Sequence, residues 1–243
     1  SDVCSSELYS YGQLSLKSRI KLLTIDLDDT LWPCMPTIMH AENISYQWLN
    51  THLPRITRRY SIETLRDKRQ QLLAREPLLI NDLSEARRIH FRELADELDY
   101  DHDWIDEGFK VFHDARQKVT LYDDVLPVLE QLKSKFHLVA LTNGNADIQK
   151  TGLGALFERQ ISAADVMDAK PDPAMFQKAM QYYQVTPEQT LHVGDHPVHD
   201  IDGAHRAGTA GIWVNRGNHR WQETDYAADY EIAELSGLLD LLL

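Results

Sequence analysis

The stretch from Thr24 to Thr30, TIDLDDT, sets three aspartates within four positions directly behind an apolar run. The run itself, Ile20 to Asp26 (IKLLTID), is short, continuous and closed by polar turn residues. That is the pattern of a strand buried on both faces of a parallel sheet. Two carboxylates about 4 Å apart repel by roughly 4 kcal/mol at an effective dielectric of about 20. A fold that accepts this strand must therefore bring a compensating charge to its carboxyl end.

Downstream the chain divides by periodicity. Four helical patterns, Thr37 to Leu53, Ser61 to Arg75, Asp82 to Leu98 and Asp103 to Val119, are separated by LPRITRRY, EPLLIN and DYDH, with no strand pattern among them. From Asp123 the pattern alternates. A helix in DDVLPVLEQLKSK precedes a strand in HLVALTNG, a short strand in RQISAAD and a helix in DPAMFQKAMQYY. Then come a strand in TLHVGD, a helix in DIDGAHRAG, a strand in AGIWVN, and a short strand and helix in DYEIAELSGLLDLLL. The alternation predicts an α/β fold with an open, mostly parallel sheet, whose ligands bind at the carboxyl ends of the strands. The all-helical block predicts an inserted domain. The expected division is a core of residues 1–33 and 120–243 and a helical insert of residues 34–119.

The charge balance narrows the partners. Lys+Arg at 25 against Asp+Glu at 38 gives −13, which repels nucleic-acid backbones and anionic lipid surfaces, so neither nucleic acid nor membrane is an expected partner. No apolar run approaches the roughly 18 residues that span a bilayer, and the opening SDVCSSELYSYGQLSLKSR has no apolar core of the signal-peptide kind. Two cysteines, Cys4 and Cys34, allow at most one intramolecular bridge and do not make a disulfide framework. A reducing, cytoplasmic setting is expected.

On the predicted sheet, polar clusters fall at one edge. Asp26, Asp28 and Thr30 follow the first strand, Thr142 and Asn143 follow HLVAL, and Asp195 follows TLHV, with Asp200 just beyond. Lys170, in AKPDP, is the cation among these acids. Converging carboxylates call for a divalent cation, and all-oxygen ligation suits Mg²⁺, which completes its shell with water and substrate phosphate. Phosphoryl transfer through an aspartyl-phosphate follows as the expected chemistry, with Lys170, Thr142 and Asn143 holding the phosphoryl oxygens. In DLD the period-two rule can direct Asp26 and Asp28 to one face, so that Asp28 can protonate the leaving oxygen and later deprotonate water.

Taken in order, DLDDT, TNGN, KPDP and GDHPVHD resemble the four motifs of the haloacid dehalogenase-like superfamily. Finer similarity in LTIDLDDTLW, ALTNGNADI and LHVGDHPVHDIDGAHRAGTAGIWVN resembles its bacterial flavin mononucleotide phosphatase branch, which also acts on 5-amino-6-(5-phosphoribitylamino)uracil. The resemblance implies a Rossmannoid core with a helical cap of the C1 type. It implies Asp26 as nucleophile and Asp28 as general acid and base, Thr142 and Lys170 on the phosphoryl group, and Mg²⁺ held by Asp26, the Asp28 carbonyl and Asp195, with Asp200 in support. Dehalogenases of that superfamily lack the second carboxylate, so Asp28 points to a phosphatase. His196, where Ser or Asp is common, is a departure that leaves open how Asp200 meets the metal.

Simpler readings apply to the remaining features. Asp29 and Thr30 are expected to cap or hydrogen-bond locally. His192, His196 and His199 lack the convergent spacing of a zinc site. The basic run RITRRYSIETLRDKR is expected to be a solvated face with intrahelical ion pairs. Tyr46, Trp48, Trp104 and Phe109 fit an apolar core better than ligand stacking, and NRGNHRW is a loop within reach of the site. The expectation is thus a Mg²⁺-dependent phosphomonoesterase, monomeric or weakly dimeric, for a small phosphorylated metabolite such as flavin mononucleotide. A sugar phosphomutase on the same core and a non-catalytic module binding phosphorylated ligands or a partner are the alternatives.

Overall fold

The computed structural model describes residues 17–221 and 224–243. Six strands, β1 (Leu22–Ile25), β2 (His137–Thr142), β3 (Arg159–Ser162), β4 (Thr190–Gly194), β5 (Ala210–Val214) and β6 (Tyr230–Ile232), form one sheet in the order β3-β2-β1-β4-β5-β6. Every neighbouring pair is parallel. The first strand is therefore central, and the chain leaves it to build outward on both sides, which makes its carboxyl end the switch point where open α/β sheets bind ligands.

Both faces of β1 are covered, as its unbroken apolar run requires. Leu23 and Ile25 enter one layer with Val125 and Leu129 of α6 (Val125–Leu132) and Leu238 and Leu242 of α10 (Gly237–Leu242). Leu22 enters the other with Ala163 of α7 (Ala163–Val166) and Met175, Phe176 and Ala179 of α8 (Ala174–Tyr183). All of these side chains are buried, each burial of a large one stabilising by about 1.5–3 kcal/mol. Register does the rest. Ile25 pairs with Ala140 and with Val193, so the residues that follow each strand emerge side by side.

Between β1 and α6 lie five helices: α1 (Cys34–His52), α2 (Pro54–Arg59), α3 (Ile62–Arg75), α4 (Leu83–Glu97) and α5 (Ile105–Arg116). They have their own apolar cluster, with Leu49, Ile56, Phe91, Leu94, Trp104 and Phe109. Local sequence places their ends. The Ser61 side chain accepts from Thr64 N at the start of α3, and Asp82 accepts from Ser84 N and Glu85 N at the start of α4.

The separators carry more structure than their sequences suggest. LPRITRRY contains α2, with Pro54 in its first turn where a missing N–H is harmless, and EPLLIN forms a 3₁₀ turn, Pro77–Asn81. DIDGAHRAG is not one plain helix: a π-helical turn, Pro197–Asp202, runs into α9 (Gly203–Arg206). No helix among the described residues is long and apolar enough to cross a membrane. Cys34 is a free, half-buried thiol, and Cys4 lies outside the described residues.

Candidate active site

The carboxyl edge of β1, β2 and β4 opens into a pocket of about 520 Å³ lined by Asp26, Asp28, Thr142, Asn143, Lys170, Asp195 and Asp200, among others. All seven sequence-derived site residues therefore meet. Asp26, Asp195 and Asp200 each offer an oxygen within 4.8 Å of the others, the one such acid, histidine or cysteine cluster among the described residues.

Lys170 is the hub. Its Nζ donates to Asp26 Oδ1 at 2.6 Å, to Asp200 Oδ1 at 2.6 Å and to the Leu141 carbonyl at 3.1 Å. Burial disfavours its charge, but Asp200 and Asp26 hold the ammonium above its ordinary range. Asp200 is buried too; that opposes ionisation, yet Lys170 and His192 beside it keep it below the usual carboxylate range. Asp26 moves the other way. Burial, and then the charges of Asp200 and Asp195 against the pull of Lys170, push it well upward. Burial likewise pushes Asp195 up to about 7, with Asp200 and Asp29 adding to the effect. One lysine, in contact with Asp26 and Asp200 alike, thus serves three acids and leaves the cluster short of positive charge.

That shortfall is what a dication would remove, and the donor set fits one: hard oxygens from Asp26 and Asp195, both reaching the pocket. Asp200 has less to offer. Its Oδ1 faces Lys170 and, at 3.1 Å, His192 Nε2, while its Oδ2 accepts from His196 N at 2.9 Å. The side chain is packed so tightly against Gly194 that a Cβ there would lie 2.2 Å from Asp200 Cγ, so only glycine closes β4. His196 does not enter the acid cluster either. Its Nδ1 accepts from Val198 N and His199 N, capping the π-helical turn, and its ring stacks on His199 at 3.9 Å. His192 is fully buried between Thr24 Oγ1 at 2.9 Å and Asp200, edge-on to Phe176.

Asn143 departs from the expectation of a phosphate contact by its side chain. Its Nδ2 donates to Lys170 O at 2.9 Å and its Oδ1 accepts from Lys170 N at 2.7 Å, so the amide fixes the lysine's backbone instead. Thr142 Oγ1 accepts from Gly144 N at 2.9 Å. Asp29, at φ +62°, accepts from Cys34 N and so caps α1 locally as expected. Thr30 instead reaches across to Asp195, its Oγ1 donating to Oδ1 at 3.1 Å.

Three contributors were not anticipated. Arg116, at the end of α5, donates from Nη2 to both oxygens of Asp28 at 2.7 and 2.6 Å. Trp32 Nε1 donates to Asp28 Oδ1 at 2.9 Å. Asn81, from the helical block, donates to Met167 O at 2.6 Å and accepts from Ala169 N at 3.0 Å, bracing the loop that carries Lys170. The aromatic residues of the block are core, as read from sequence: Trp104 and Phe109 are buried, and Trp48 packs on Trp104. The basic run does form ion pairs, but between helices: Arg66 and Arg69 with Glu42, and Lys68 with Glu97. No residue of NRGNHRW lines the pocket; Arg216 reaches the Thr30 carbonyl and Asp124.

An all-parallel sheet with an acid-rich, lysine-centred pocket at its switch point and a helical block between the first two strands defines a capped Rossmannoid α/β hydrolase. The chain belongs to the haloacid dehalogenase-like hydrolase family, whose sequence model matches residues 20–208. It is similar to the 5-amino-6-(5-phospho-D-ribitylamino)uracil phosphatase YigB of Escherichia coli strain K12, at 30% identity over 92% of this chain and 97% of the relative. Among solved structures, a 2-haloacid dehalogenase from Pseudomonas syringae pv. Tomato DC3000 superposes with a TM-score of 0.85 at 38% identity, over 91% of this chain and 97% of the other. A HAD phosphatase from Thermococcus onnurineus superposes with a TM-score of 0.65 at 25% identity, over 91% and 97%.

Proposed function

We propose that this hydrolase is a phosphomonoesterase for a small phosphorylated metabolite, with flavin mononucleotide or the phosphorylated riboflavin precursor as first substrate and residues 34–119 as its cap. The observation that carries the reading is the ammonium of Lys170 bonded to Asp26 beside a half-buried acid, Asp195, that has no cationic partner of its own. A phosphoryl group is the ligand whose oxygens such a cation and a neighbouring dication accommodate.

In this reading Asp26 attacks phosphorus and the bond to the leaving oxygen breaks, with Asp28 delivering the proton that the leaving oxygen takes up. Asp28 then removes a proton from water, which attacks the phosphorylated Asp26 and releases inorganic phosphate. Thr142 Oγ1 and Lys170 Nζ hold phosphoryl oxygens, and Asn143 holds Lys170. Asp26, the Asp28 carbonyl and Asp195 would bind Mg²⁺, with Asp200 in support; the ion supplies charge neutralisation between carboxylates and phosphate. The similarity to a dehalogenase structure supplies a rival, but a departing halide takes up no proton and leaves Asp28 without a task.

The test is phosphate release from p-nitrophenyl phosphate with Mg²⁺ and with a chelator. A panel of flavin mononucleotide, the riboflavin precursor, phosphoserine and glyceraldehyde 3-phosphate follows, with a 2-haloacid as control. Mg²⁺-dependent phosphate release is expected. Halide release without phosphate release would reject the reading, dependence on a sugar bisphosphate would favour a mutase, and no turnover at all would favour a binding module.

A further inference from the structure

Asp28 is the site acid whose surroundings come mostly from outside the sheet. Its Oδ2 accepts from Arg116 Nη2, and its Oδ1 accepts from the same nitrogen and from Trp32 Nε1. Arg116 stands 88 positions away, ends α5 and is 1% exposed. Room for the pair is left by Gly144, where a Cβ would lie 2.8 Å from Asp28 Oδ2 and 3.7 Å from Arg116 Nη2.

The guanidinium is not buried for a full set of bonds of its own, since its Nη1 is buried without a hydrogen-bond partner. A buried donor left unpaired is destabilising in itself. Its siting is explained by what it does to Asp28. The next residue ties the same helix end to the loop after β2: Gln117 Oε1 accepts from Asp147 N at 2.7 Å, and Gln117 Nε2 donates to Asn145 O at 3.3 Å. The carboxylate orientation is therefore set by where the helical block meets the sheet.

We propose that Arg116 is the positioning residue for Asp28, fixing its carboxylate so that one group serves leaving oxygen and water in turn while the end of α5 stays seated. This rests on the phosphatase reading. Arg116 acts through Asp28 and is not among the residues lining the pocket. A planar guanidinium fixes a carboxylate plane in a way that a lysine ammonium does not, so Lys is not an equivalent replacement. A misoriented acid and base loses turnover while ground-state phosphate binding is spared.

The experiment compares wild type, Arg116→Lys, Arg116→Met, Asp28→Asn and the Arg116→Lys/Asp28→Asn double variant. Turnover of p-nitrophenyl phosphate with Mg²⁺, inhibition by inorganic phosphate, melting temperature and the indole N–H resonance of Trp32 are recorded. Arg116→Lys is expected to lower kcat about tenfold or more with KM and phosphate inhibition within about threefold. The double variant is expected to be no slower than Asp28→Asn alone. The Trp32 resonance should move in the Arg116 variants while that of Trp213, which donates to the Asp195 carbonyl, stays. Unchanged kcat and an unmoved Trp32 resonance in Arg116→Lys would overturn the proposal, as would losses that add to those of Asp28→Asn and follow the melting temperature. Absence of phosphate release by the wild type would reject the phosphatase reading separately, and the Trp32 resonance would still decide the positioning role.

Discussion

Two charge clusters of opposite balance, each with a buried centre, sit in this molecule. At the sheet edge, Asp26, Asp195 and Asp200 surround one Lys170. In the helical block, Glu42 is bonded by Arg66 and Arg69, with Arg87 buried nearby and stacked 3.2 Å above the Phe112 ring. The acid cluster points its oxygens at one another across an open pocket. The cation cluster encloses its carboxylate and lays its third guanidinium on an aromatic face. Excess charge in both places shows that net charge alone does not set the two clusters apart. Convergence does, and here convergence comes from parallel strands ending side by side, whereas helices α1, α3 and α4 spread their charges around a closed core.

The contrast can be broken most forcefully at Asp26. Asp26→Asn should lower phosphate release by at least about a thousandfold, the scale expected when a nucleophile is removed, with circular dichroism unchanged. Turnover close to wild type would remove Asp26 from the first post. Lys170→Met should cost about a hundredfold or more in kcat/KM and also lower the melting temperature, because two buried carboxylates lose their shared partner. In the block, Glu42→Gln should destabilise by about 3 kcal/mol in urea melts, leaving kcat per folded molecule unaltered. A large loss of kcat there would mean that the two clusters are not separate.

The smallest expected effect is in pH dependence, where the two regions should have opposite signs. Burial raises Asp195 from 3.8 to about 7 in the metal-free protein, so its contribution is full below about 3.8 and is lost as pH rises toward 7. Burial and the neighbouring arginines lower His90 in the block from 6.5 to about 3, so its contribution is full above 6.5 and is lost as pH falls toward 3. Asp195→Asn and His90→Gln, melted in chelator from pH 4 to 7, should each flatten one limb by up to about 1 kcal/mol per pH unit. Added Mg²⁺ should remove the Asp195 limb alone.

What sequence made legible follows the same division. Asp26, Thr142 and Asp195 could be placed together because strands in a parallel sheet share a direction, so a polar residue after each apolar run must fall at one edge. Lys170 was legible as the lone cation in that company. Arg116, Asn81 and Thr30 were not, because their partners depend on how a helical block or a neighbouring loop docks, which local periodicity does not encode. A weak signal did exist for Arg116: an arginine in the last turn of a helix, where cations are favoured, while the second acid of DLDD had no assigned counter-charge. Asn143 was placed at the correct edge, but its bonds to Lys170 were not legible, since an amide that satisfies a backbone N–H and carbonyl together is indistinguishable in sequence from one that faces a ligand.

Trp32 and Arg116 grip the same carboxylate, which means that the polypeptide departs for its long excursion and comes home at almost one spot. Rejoining ends that already touch exacts little loop-closure entropy. The excursion is thus modular on one condition: an architecture of different size or shape can be spliced in at that doorway, with strand order and register unaltered, so long as its returning end again brings a guanidinium to the Asp28 carboxylate.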